Sequence, residues 1–171
     1  MTRTRLQLAG LVAVVVVLAG VLTAAAVVLL PGGTPESPQL TAYSDGEVVS
    51  VPPTLYCDVG ITSCEVGATA SLPVPAGRVL QVSLPSAIAE APWRLLTVVT
   101  LADGSQRTDA RFFRPGERIA VTVGSTDPTE QLSGIEVQLP SSVLDADGLP
   151  RARATWGIST DPAVIAQVRG G

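Results

Sequence analysis

The sequence predicts an all-β protein, an antiparallel immunoglobulin-like sandwich preceded by one N-terminal transmembrane helix. Three observations carry this. Apolar residues alternate with polar ones at a period of two through most of the chain after residue 40. Turn dipeptides punctuate those runs: Asp45-Gly46, Pro52-Pro53, Ala76-Gly77, Asp103-Gly104, Pro115-Gly116 and Asp147-Gly148. The stretch Leu6 to Leu30 contains no charged residue.

That first stretch, 25 residues long, would make a helix of roughly 37 Å, enough to cross a hydrocarbon core of about 30 Å with some tilt. Arg3 and Arg5 precede it, and no cation follows until Arg78. By the positive-inside rule, residues 1–5 are cytoplasmic, 6–30 span the membrane, and the rest is extracytoplasmic. Cleavage as a signal peptide, at the small residues Ala24-Ala25-Ala26, is the competing reading. The apolar run continues through Val27 to Leu30 beyond that point, and its length favours an uncleaved anchor in the cell membrane. Residues 31–39, PGGTPESPQ, read as a Pro/Gly-rich linker reaching no more than about 28 Å at about 3.1 Å per residue.

Residues 40–171 suit one domain. Strands are expected at Leu40–Ser44, Glu47–Val51, Thr54–Val59 and Glu65–Ser71. Next comes a strand with Leu80, Val82 and Leu84 on one face. Trp93, Leu95, Thr97, Val99 and Leu101 share a face of the following one, which the turn Asp103-Gly104 joins to Gln106–Phe113 as a hairpin. Three more strands place Ile119, Val121 and Val123, then Ile135, Val137 and Leu139, then Ala152, Ala154, Trp156 and Ile158 toward the core. Short helices fit only Ser86–Glu90 and Ala163–Val168, and the tail from Val168 to Gly171 is expected to fray. Trp93 and Trp156 are expected in the core.

Composition excludes several chemistries. The chain contains no His, Lys or Asn, so all 11 cations are Arg and imidazole bases and Schiff-base lysines are ruled out. Without such a base, Ser has only carboxylates to activate it and no G-x-S-x-G occurs, so no enzyme and no cofactor are expected. Residues 40–171 carry 9 Arg against 14 acids, which argues against nucleic acid. Asp145-Ala-Asp147-Gly148 resembles the start of a calcium loop, but position 12 is Trp156, so a plain turn is expected.

Cys57 and Cys64 are the only cysteines. Outside the membrane they would form a disulfide that staples a tight loop, since six intervening residues do not suit a C-x-x-C redox site. Arg107, Arg111, Arg114 and Arg118 cluster within twelve residues. Guanidinium pairs can grip phosphate or carboxylate, so these four form a possible anion-binding set; a solvated outer sheet face with Arg–Asp pairing is the alternative.

Tyr56-Cys57-Asp58 with Cys64, Ala91-Pro92-Trp93-Arg94-Leu95-Leu96, Arg114-Pro115, Gly134 through Pro140 as GIEVQLP, and Thr155-Trp156 occur in that order. In order and spacing the chain resembles an actinobacterial family of small membrane-anchored proteins carrying a domain of unknown function. The resemblance implies an N-terminal anchor and an extracytoplasmic β-rich domain, with no activity or site residues to transfer. The short linker keeps the domain at the bilayer. The expected function is therefore a membrane-anchored interaction module, an accessory subunit of a transporter or envelope-biogenesis complex. A binder of an envelope lipid or glycan, through a pocket between the sheets or the Arg107–Arg118 face, is the alternative, and a hydrolase the third reading.

Overall fold

The computed structural model describes residues 37–169. The expected span at 6–30, residues 31–36 of the linker, and Gly170-Gly171 of the tail lie outside the described residues. No helix among the described residues is long and apolar enough to cross a membrane.

Among the described residues, eleven strands and two short helices follow in order: β1 Leu40–Ser44, β2 Glu47–Val51, β3 Leu55–Cys57, β4 Cys64–Val66, β5 Ala70–Ser71, β6 Val79–Ser83, α1 Ser86–Ala89, β7 Trp93–Thr100, β8 Gln106–Phe113, β9 Ala120–Gly124, β10 Gln131–Leu144, β11 Pro150–Ser159 and α2 Pro162–Arg169. They form two sheets. The smaller runs β2-β1-β6-β9; the larger runs β4-β3-β11-β10-β7-β8, with β5 pairing on the end of β11. Every pairing is antiparallel except β5 with β11.

The core lies between the sheets, and period-two alternation builds it. From the larger sheet come Trp93, Leu95 and Val99 of β7, Leu132, Ile135, Val137 and Leu139 of β10, and Ala154, Trp156 and Ile158 of β11. The smaller sheet supplies Leu40, Ala42, Val51, Leu80, Val82 and Val123. Each buried Leu, Val or Ile contributes about 1.5–3 kcal/mol relative to exposure. Leu72 and Val74, also fully buried, close one end by donating their amides to Ser159 O (3.0 Å) and Thr160 O (2.9 Å). Ile88 and Ala89 of α1 plug the core as well.

Most expected strands stand where the alternation put them, with three differences. The run Glu65–Ser71 is two strands, not one. Gly67 interrupts it, donating to Thr54 O at 3.0 Å, and a Cβ there would stand 2.3 Å from Pro53 O. Only glycine permits that approach. Ile119 is 71% exposed instead of buried. Burial fades from Val123 through Val121 to Ile119, which precedes the start of β9 at Ala120 and so stands outside the ladder that aims Val121 and Val123 inward. The third difference is the domain's start. The Trp156 indole donates to Pro38 O at 2.8 Å and Ser50 Oγ to Gln39 Oε1 at 2.6 Å, so the chain is already docked before β1.

Candidate functional site

The two sheets differ in width, and the overhang creates the candidate surfaces. The register pairs Trp93 with Phe113, Leu95 with Arg111, Thr97 with Asp109 and Val99 with Arg107. Directly opposed residues lie on one face. Phe113, Arg111, Asp109 and Arg107 therefore continue the core-facing side of the sheet past the edge of the smaller sheet. All of β8 up to Phe112 is exposed, and Phe113 is half-buried.

Where β8 ends, Phe113 stacks on Trp93 with ring centroids 4.0 Å apart and planes 15° from parallel. These rings, with Pro92, Phe112, Pro140, Leu149, Pro150 and Ala152, line an apolar groove of about 270 Å³. The groove sits where β10 and β11 lose regular pairing. The register shifts at Leu139/Pro140 and again between Pro140 and Leu144, since Pro140 has no amide for the ladder. The hairpin tip beyond is held by Asp145, whose carboxylate accepts from the amides of Asp147 (3.0 Å) and Leu149 (2.9 Å). The Asp145–Gly148 segment is thus a turn, with its carboxylate engaged by its own backbone.

Phe112 is 73% and Leu149 58% exposed at the groove mouth. The polar members are Arg94 and Gln138. The Arg94 guanidinium lies 5.6 Å from the Phe112 ring centroid and donates through Nε to Gln138 Oε1 at 2.8 Å. Gln138 Nε2 in turn donates to Glu136 Oε1. This chain of bonds fixes a cation beside an apolar trough. Among the described residues, the buried Trp93 indole N–H has no acceptor, a cost of about 1–3 kcal/mol.

A second, polar groove of about 300 Å³ runs along the overhang between β8 and the end of β9. It includes Thr97, Arg107, Asp109, Arg111, Ser125 and Glu130. Arg107 pairs with Asp109 at 3.1 Å and with Glu130 at 3.8 Å. Arg111 makes no ion pair among the described residues.

The arginine set predicted from sequence divides. Arg107 and Arg111 share this groove. Arg114 and Arg118 line neither groove; they belong to the turn after β8, where the Arg114 amide donates to Glu117 Oε2 at 2.9 Å. The face is also the inner side of the sheet, not the outer one, and its Arg–Asp pairing balances the charge there. Cys57 and Cys64 are directly opposed on β3 and β4 and form a disulfide, with Cα atoms 4.0 Å apart. The apolar groove was not read from the sequence. Its members come from four separated segments, and the available signal was Phe112, an apolar residue on the solvent side of a charged strand.

Asp58, Asp103 and Asp127 have carboxyls held below the usual range. The causes are, first, the Thr62 hydroxyl at Asp58, the Ser105 hydroxyl at Asp103 and the Thr129 amide at Asp127. All three are exposed loop residues, and the hydrogen bonds that lower them come from neighbours within the same loop.

The fold and grooves define an antiparallel β-sandwich domain with an apolar surface trough. The chain belongs to the family described as protein of unknown function (DUF2771), whose model matches residues 33–161. It is 38% identical over 152 residues to proteins of Mycobacterium tuberculosis H37Rv, M. tuberculosis CDC 1551 and Mycobacterium bovis, each bearing the description uncharacterized protein. The alignment covers 86% of this chain and 92% of each relative. No solved structure matches the chain.

Proposed function

We propose that this protein is a non-enzymatic, membrane-anchored extracytoplasmic interaction module, an accessory subunit of an envelope-biogenesis or transport complex, that uses the Trp93–Phe112 groove as its contact surface. The observation that carries the reading is the groove itself. It exposes Phe112 and Leu149 around a trough of prolines and stacked rings, with one fixed guanidinium at the rim. Contiguous exposed apolar surface of this kind is characteristic of binding sites. The uncharged run 6–30 supports the anchor, and the short segment after it supports action close to the bilayer.

The test is site-specific photocrosslinking from position 149 in native membranes, followed by mass spectrometry. One defined membrane protein should be captured, and Phe112→Ser should abolish its capture. Capture that is diffuse, or unchanged by Phe112→Ser, would refute the reading.

A lipid or glycan ligand is the second reading. The groove favours the lipid: its walls are apolar and Arg94 offers a cation for a headgroup. Since Trp93 forms a wall, its fluorescence should shift on adding anionic phospholipid vesicles, and Arg94→Gln should weaken the response. An unchanged spectrum in a Trp156→Phe background, where Trp93 is the sole reporter, would remove this reading.

A further inference from the structure

We propose that β8 is a self-association edge, which pairs antiparallel with β8 of a second copy of this chain about a two-fold axis at Ala110. Phe112 and Phe113 belong to both the groove and this edge, but the inference does not depend on what the groove binds; it rests on hydrogen-bond phase and charge order.

The phase comes from the hairpin. The Leu101 amide donates to Ser105 O at 2.8 Å and the Gly104 amide to Leu101 O at 2.9 Å, with Gly104 at φ +81°. Leu101 and Ser105 thus start the ladder as a hydrogen-bonded pair. Such pairs alternate along an antiparallel ladder. Arg107, Asp109, Arg111 and Phe113 therefore spend their backbone groups on β7, and those of Gln106, Thr108, Ala110 and Phe112 point away from it. Among the described residues no strand takes them.

An incoming copy must match outward groups to outward groups, which leaves registers two residues apart. Centred on Asp109, the pairing sets Asp109 against itself and Arg107 against Arg111. Centred on Arg111, it sets that guanidinium against its own copy. Centred on Thr108, it overlaps only residues 106–110. Centred on Ala110, it joins residues 107–113, seven of the eight in β8. Asp109 then faces Arg111 twice, and Arg107 lies over Phe113. These are non-hydrogen-bonded pairs, in which side chains approach most closely. On the other face Thr108 meets Phe112, which is 73% exposed in the single chain, and Ala110 is small enough for the axis.

Charges on an edge strand ordinarily deter pairing. Here their order repels the Asp109- and Arg111-centred registers, overlap disfavours the Thr108-centred one, and both suit the pairing centred on Ala110. The exposed Arg107–Asp109 contact within one chain is a weak competitor.

The test uses the full-length chain in detergent micelles, with its native disulfide intact. Opposed residues in a hydrogen-bonded pair lie about 5.5 Å apart at Cα, inside the disulfide range of about 4.4–6.8 Å. Ala110→Cys should oxidise to a covalent dimer at least tenfold faster than Thr108→Cys or Phe112→Cys alone. A mixture of the last two should cross-link to each other. In the Ala110→Cys background, Asp109→Arg should reduce the dimer at least tenfold, and adding Arg111→Asp should restore it. All these side chains are exposed, and an unchanged circular-dichroism melt confirms folding. Equal rates at positions 108, 110 and 112, or no restoration by the charge swap, would overturn the proposal. If Asp109→Arg fails to fold, the three cysteine rates decide alone.

Discussion

The two edges of the larger sheet meet the same difficulty in different ways. At one end β3 and β4 are three residues each, and β4 is exposed along its whole length. Three rungs cannot hold such a ribbon unaided. Cys57 and Cys64, opposed at the foot of the loop, tie it covalently. At the other end β8 is also exposed, yet it has eight paired residues with β7 and a stacked Phe113 on Trp93. It needs no cross-link, because ladder length and a single aromatic contact hold it. Strand length thus determines which edge is stapled and which stays free for other uses.

Cutting the aromatic anchor should break the comparison most severely. Trp93→Ala should cost about 3–5 kcal/mol, seen as a lower urea midpoint. It removes a fully buried wall of the core and frees Phe113 together. Trp93→Phe should cost far less, since it keeps a ring beneath Phe113 and deletes the N–H that has no acceptor. A loss equal to that of Trp93→Ala would show that ring stacking is not what secures the β8 end.

Replacing both cysteines by Ala should cost about 2.5 kcal/mol by the chain-entropy account of an eight-residue ring. Hydrogen exchange should localise the loosening to residues 54–66 and leave β7–β8 protected. Loss of protection in β8 as well would mean that the two edges are coupled through β11 and β10.

The finest adjustment lies inside the stapled loop. Asp58 accepts from the Thr62 hydroxyl and from its amide at 2.7 Å, and its carboxyl is held below the ordinary value of 3.8. A folded-state value below the unfolded one stabilises the loop at pH above the unfolded value. That contribution disappears as the pH falls through the lowered folded value. In an NMR titration, Thr62→Val should raise the Asp58 midpoint toward 3.8. No movement would assign the shift to the backbone amides alone.

Much of this architecture was legible in the sequence, for a physical reason. Strands covered on one face must alternate, so β1, β2, β6, β7, β10 and β11 announce themselves, as does the Asp103-Gly104 hairpin. Relative sheet width leaves no such trace. Alternation puts Arg107, Asp109, Arg111 and Phe113 on one face of β8, but nothing in their spacing reveals that this face continues the core side of β7. The apolar groove was invisible because residues 92–94, 112–113, 138–140 and 149–152 converge only once β10 and β11 splay at Pro140.

The Pro38 carbonyl held by the Trp156 indole has a mechanical corollary. Tension applied through the leading segment meets the middle of β11 before it reaches any loop. Beyond that bond it loads β1, which is held by five rungs to β2 and three to β6. The attachment point behaves as a strain relief on a cable, taking load before it reaches the first strand.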